Sequence, residues 1–246
     1  MEKIGKIEEE SYDTLTSKTL LDDTILFHSL RLISVGNPIV EVLPLDFCVL
    51  LANLSNKSNA KKIVNGFQDI NNPFTAIEDQ FVNHQQKKYV VIILQQLKHR
   101  SALFISLEEV RFLYFDPYFK NRDEIESKFF VEFWSGCCTK LCSKIRQSDR
   151  LPNNFRKKFD AEIDSFENVI EKSIEQNQLD IKLSSFYLIQ YMAQFFSKNK
   201  LDLKQLILSP TNNDVFMKNV FINFWRILTK PFVQKRNKRK RELDFF

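Results

Sequence analysis

Apolar residues along the chain recur with a helical period at both ends and in the middle, and with a period near two between them. The segment LLDDTILFHSLRLISV (20–35) predicts an N-terminal helix, with Asp22 and Asp23 at its positive end. A second helix is predicted over 44–54. Residues 55–88 are rich in Asn, Lys and Gln and read as loop with a short helix. The texture then changes. YVVIIL (89–94) is short and β-branched, and SALFISL (101–107) and VRFLYFD (110–116) follow across Glu108-Glu109, which predicts a buried strand and then a hairpin. From 121 to 146 the helical period returns, with Ile125, Phe129, Phe130, Phe133, Trp134, Cys137 and Leu141 on one side. Residues 148–165 are charged and read as loop or exposed helix. FENVI (166–170) is a further strand candidate, and helices are predicted over about 184–198 and 214–229. Helix, strands, helix, strand, helix is the order of an α+β domain: a central mixed sheet with helices packed around it.

Composition sharpens this picture in three ways. With 246 residues and 43% apolar content the chain can build one large domain around a real core. It holds 24 Phe but only 4 Gly, and Gly36, Gly66 and Gly136 sit in no nucleotide-binding pattern, which argues against a phosphate loop. Charge is uneven. The tail KRNKRKRELDFF (235–246) has six bases and two acids, so residues 1–234 hold about +1 of the net +5. A near-neutral body predicts no nucleic-acid binding by the folded part. The bases at 235–241 resemble a nuclear localisation signal, which predicts a nuclear or cytoplasmic, intracellular protein. The start of the chain is acidic without a long apolar run, and the longest apolar run in the body, 89–94, is too short to span a bilayer, so no membrane association is expected. Cys48, Cys137, Cys138 and Cys142 lack metal-ligand spacing and read as buried reduced thiols; no metal and no cofactor is expected.

The candidate chemistry lies at the ends of these elements. His99 directly precedes the strand SALFISL, and Asp116 ends the next strand. If the strands are neighbours, their ends meet at one rim, where an Asp can orient a His ring and stabilise its charged form. Gln178 lies six residues before Ser184, on the approach to a helix. An amide so placed can donate to a developing oxyanion together with the helix-terminal N–H groups.

In this order the residues resemble the ubiquitin-like-protein-specific cysteine proteases, which process and remove SUMO and related modifiers. LLDDTILFHSLRLI (20–33) looks like the entry motif W-L-N-D-x-x-I, and HRSALFISL (99–107) like the H-W-x-L-x-x-I strand. LYFDPY (113–118) looks like the Y-x-D-S turn, and QLDIKLSSFYLIQYMAQFFS (178–197) like the Q-x4-D-C-G helix. The resemblance implies a SUMO-protease-like domain over 18–232, with an N-terminal extension 1–17, an apparent insertion near 147–165 and a basic tail 233–246. It implies His99, Asp116 and Gln178 as catalytic residues, Ser184 at the nucleophile position, and Leu20, Arg100 and Ser185 beside the substrate's tail.

The departures are as informative. The family's Asp-Cys-Gly falls on Leu183-Ser184-Ser185, its roofing Trp on Arg100 and its entry Trp on Leu20. A thiolate is prepared by lowering a pKa that begins near 8.5, whereas a hydroxyl must lose its proton during attack. In a site spaced for sulfur the shorter oxygen is misplaced, and an error of about 1 Å costs about a hundredfold. The resemblance therefore implies a catalytically impaired module that binds a ubiquitin-like modifier or scaffolds a protein complex. Two alternatives stay open: an active peptidase using Ser184 with His99 and Asp116, and an unrelated globular α+β interaction protein.

Overall fold

The architecture is built on two strands that are apolar on both faces. β2 (Tyr89–Gln95) and β3 (Arg100–Ser106) are buried along almost their whole length. That burial requires cover on both sides of the sheet and cross-strand neighbours on both edges. The computed structural model describes residues 23–34, 38–96, 100–116, 124–159 and 166–168, together with Ser185, Leu188, Ile189 and Met192. All lie in one compact unit, Leu20–Leu208.

The five described strands run in spatial order β1-β2-β3-β4-β5, with β1 (Val40–Val42), β4 (Arg111–Phe115) and β5 (Phe166–Asn168) completing the sheet. The sheet is mixed. β2, β3 and β4 form an antiparallel meander, while β1 lies parallel to β2 and β5 parallel to β4. The predicted hairpin is present, with Ala102 opposite Phe115 and Ser106 opposite Arg111. Its turn places Val110 at φ 50°, a conformation a β-branched residue rarely adopts, while burying the Val110 side chain.

Six helices accompany the sheet among the described residues: α1 (Asp23–Ser34), α2 (Phe47–Asn53), α3 (Lys57–Ile63), α4 (Pro73–His84), α5 (Glu124–Arg146) and α6 (Asn153–Lys158). Helices α1, α2 and α5 match the periodicity. The polar stretch 55–88 holds more helix than expected. Asn56 caps α3 by accepting from the backbone N–H groups of Ser58 (2.9 Å) and Asn59 (3.3 Å). Pro73 starts α4, where its missing N–H costs nothing. Helix α4 is held by a narrow stripe, Ile77 and Phe81, against the core.

One face of the sheet, carrying Val90, Ile92, Leu94, Leu103, Ile105, Phe112 and Tyr114, shares a single core with α2, α4 and α5. Helix α5 contributes a continuous stripe from Phe130 through Ile145, with Trp134 fully buried. Segment 148–159 is docked rather than free. Leu151, Phe155 and Phe159 are buried at spacing i, i+4, i+8. A polar clasp holds it: Ser148 Oγ donates to Glu78 Oε1 on α4 and accepts from the N–H groups of Arg150 and Leu151 (3.2 and 3.1 Å), while Arg150 bridges Glu78 and Asp79. Ser185, Leu188, Ile189 and Met192 are helical and buried. The helix predicted at 214–229 lies outside the described residues.

Candidate active site

The ladder between β2 and β3 ends with Gln95 opposite Arg100, and the ladder between β3 and β4 reaches Ala102 opposite Phe115. One step further along that register sets Ser101 opposite Asp116. The end of β2, the start of β3 and the end of β4 therefore meet at one rim.

The rim carries a buried polar network. Tyr114 OH donates to Asp116 Oδ2 at 2.8 Å and accepts from Gln96 Nε2 at 3.0 Å; Gln96 Nε2 also donates to Ser101 Oγ at 2.8 Å. All four residues are fully buried. Strand alternation explains why they meet: Tyr114 and Asp116 are two apart on one strand and share a face, and Ser101 stands opposite on the same face. In so low a dielectric each polar atom must find a partner, so the network holds the Asp116 carboxyl in one orientation. Tyr114 and Gln96 were not singled out from sequence. The i, i+2 spacing of Tyr114 and Asp116 at a strand end is the signal that could have found Tyr114; Gln96 becomes visible only with the register.

Arg100 is buried, and its Nη1 donates to the Gln96 carbonyl at 3.0 Å. Its guanidinium is tied into the rim that carries Asp116. Ser185 is fully buried on its helical segment, and its Oγ has no hydrogen-bond partner. His99, Gln178, Ser184 and Leu20 lie outside the described residues. The structure thus brings Asp116 and the residue after His99 to one rim.

The cysteines are free and buried. Burial pushes the Cys137 and Cys142 thiols up to about 12, and Cys138 well above its ordinary value. An activated nucleophile needs the opposite shift, so these three thiols on α5 are core residues. Among the described residues no cluster of His, Cys, Asp and Glu could hold a metal ion, and no helix is long and apolar enough to cross a membrane.

No protein-family model matches the chain, and no curated protein matches it by sequence. Solved structures do. One described as the crystal structure of the de-sumoylating protease superposes with a TM-score of 0.56 at 16% identity, covering 94% of this chain and 89% of that one. The C-terminal Ulp1 protease domain, in complex with Smt3, the yeast ortholog of SUMO, superposes with a TM-score of 0.51 at 12% identity, covering 78% and 73%. The chain has the fold of these SUMO proteases, a cysteine-peptidase fold of the α+β class.

Proposed function

We propose that this chain is a SUMO-protease-like protein that binds a ubiquitin-like modifier and has lost most of its peptide-bond cleavage. The observation that carries the reading is the rim. In a SUMO-protease fold, Asp116 is held by Tyr114 beside the first residues of β3, and His99 directly precedes β3 in sequence, which supports reading the two as the His and Asp of the resembled motif. Gln178 and Ser184 take the oxyanion-donor and nucleophile positions by sequence spacing.

The impairment follows from chemistry at Ser184. A neutral hydroxyl must transfer its proton to His99 as it attacks, and a site spaced for sulfur holds it too far from the carbonyl. Ser185 narrows the approach where the family has Gly. Arg100, where the family has a flat Trp ring, is a buried guanidinium bonded to the Gln96 carbonyl. Leu20 replaces the entry Trp. Modifier binding depends on area away from these positions and survives their change. The basic tail at 235–241 supports a nuclear location.

The test is hydrolysis of SUMO-type and ubiquitin-type C-terminal reporters by the native chain, by Ser184→Ala and by Ser184→Cys, alongside binding of the intact modifiers. Background rates for native and Ser184→Ala, with binding retained, are expected. A second reading, a serine-dependent peptidase, is favoured by the hydrogen bond that holds the Asp116 carboxyl. Robust turnover abolished by Ser184→Ala establishes it and overturns the first. Activity gained by Ser184→Cys shows that His99, Asp116 and Gln178 form intact machinery lacking only its thiol.

A further inference from the structure

The near-zero charge of residues 1–234 conceals a division. Residues 139–159 carry seven bases and one acid. The rest of the body is therefore net acidic. The structure gathers this positive charge at one place, the C-terminal half of α5 and the adjoining α6, which pack against each other. Lys140, Lys144, Arg146, Lys157 and Lys158 are exposed and Arg156 is half-buried.

Cations at helix ends often do no more than complement the macrodipole and solvate a face. Three observations go further. Elsewhere Lys57, Lys87, Lys88, Arg111 and Lys128 each face a carboxylate, and the exposed Lys61 and Lys62 at the end of α3 are an unpaired set of only two. Among the described residues the six on α5 and α6 form no ion pair; the nearby acids Glu78 and Asp79 are occupied by Arg150, and Glu108, whose charge Lys158 also feels, is paired with Lys88. Lys158 stands over the Phe155 ring at 5.9 Å, and the Nε of Arg156 is buried with no hydrogen-bond partner. Between 139 and 159 the only exposed apolar residue is Pro152, and the other exposed positions include the donors Thr139, Gln147, Asn153 and Asn154.

The last observation selects the occupant. A protein partner needs apolar or aromatic anchors at the centre of its contact, and this face has none. A phosphodiester backbone needs cations and small polar donors and no apolar anchor. We infer that the face formed by the end of α5 and by α6 binds the phosphate backbone of nucleic acid without sequence preference. This is independent of any chemistry at Ser184. Lys140 and Lys144, at i and i+4, lie on one side of α5 about 6 Å apart along its axis, about two steps of 3.4 Å along one strand.

The experiment is a salt titration of binding to a mixed-sequence 20-base-pair duplex. It uses the full chain, a face variant (Lys140→Gln, Lys144→Gln, Arg146→Gln, Lys157→Gln, Lys158→Gln) and a tail variant with the bases at 235–241 changed to Gln. Each phosphate-contacting cation contributes about 0.9 to the slope of log K against log salt. The face variant is expected to lower the slope by two or more, with its circular dichroism unchanged. The idea fails if that slope falls by less, or if only the tail variant changes binding. It fails equally if polyglutamate of matched charge displaces the duplex as effectively as duplex itself, which would make the partner an acidic protein. Binding of the intact modifiers unchanged in the face variant keeps this outcome separate from the site at Ser184.

Discussion

Replacing Tyr114 by Phe removes one oxygen from the middle of the rim network and changes little else, because the ring keeps its place in the core. Two hydrogen bonds are lost, one to Asp116 Oδ2 at 2.8 Å and one from Gln96 Nε2 at 3.0 Å. A buried neutral bond is worth about 1 kcal/mol and one to a charged group about 1.5–3 kcal/mol, so the expected loss of stability is about 2–4 kcal/mol. At an m-value of about 3 kcal/mol/M that lowers the urea midpoint by about 1 M with m unchanged. Ser101→Ala removes only one acceptor of Gln96 Nε2 and is expected to cost about 1 kcal/mol; the double variant is expected to be non-additive, since both act on that one amide. The assay is equilibrium urea unfolding followed by circular dichroism and Trp fluorescence. A midpoint shift below about 0.2 M for Tyr114→Phe, within the error of the extrapolation, would refute the claim that this network fixes Asp116.

Three further outcomes are expected. Ser185→Ala removes a buried hydroxyl with no partner and should stabilise the protein by about 1 kcal/mol; a destabilised variant in the same unfolding assay would show that the hydroxyl is used. Ser148→Ala opens the clasp between α4 and the segment before α6 and should cost about 2 kcal/mol, and Phe155→Ala should cost about 3–5 kcal/mol by leaving a cavity, both read as lowered urea midpoints. At pH 8 a thiol with a pKa near 12 is ionised to about 10⁻⁴, so Cys137 and Cys142 should react with a disulfide reagent only at the rate of unfolding; rapid labelling of the native protein would contradict their burial.

Where a single period ran for a whole element, the chain could be read directly. The stripe from Phe130 through Leu141 on α5 and the β-branched run of β2 are of this kind. Helix α4 was hidden because its apolar stripe is two or three residues wide in a polar stretch; the core, not local pattern, holds it. Helix α6 was hidden for a related reason. Its charged side is continuous in sequence, while Phe155 and Phe159 meet the core only once Ser148 and Arg150 fix the approach. At the site, Asp116 was legible as a strand-end carboxyl. What orients it, Tyr114 and Gln96, depends on register, which hydropathy does not specify when both faces are buried. The charged face was invisible for the opposite reason: summing over the body cancelled it against acids elsewhere. Arg100 stands at the position of the family's roofing Trp, and its bond to the Gln96 carbonyl rests on how the ends of β2 and β3 approach, which hydropathy does not specify.

The two outer strands of the described sheet, VEV and FEN, are three residues long, and each has a glutamate at its centre. Such short, charged borders discourage edge-to-edge pairing between molecules. The protection arrives unevenly during synthesis. β1 precedes the apolar meander, so one border is in place as β2 emerges. β5 follows β4 only after the whole of α5 and α6, from Asp116 to Phe166. At a translation rate of about 5–20 residues per second, β4 stays open on that side for several seconds. During that interval Phe112, Leu113, Tyr114 and Phe115 present a bare hydrogen-bonding edge to other nascent chains. Expression at low temperature or with a chaperone that shields strand edges is expected to raise the soluble yield, and truncation before Phe166 to drive the chain into aggregates.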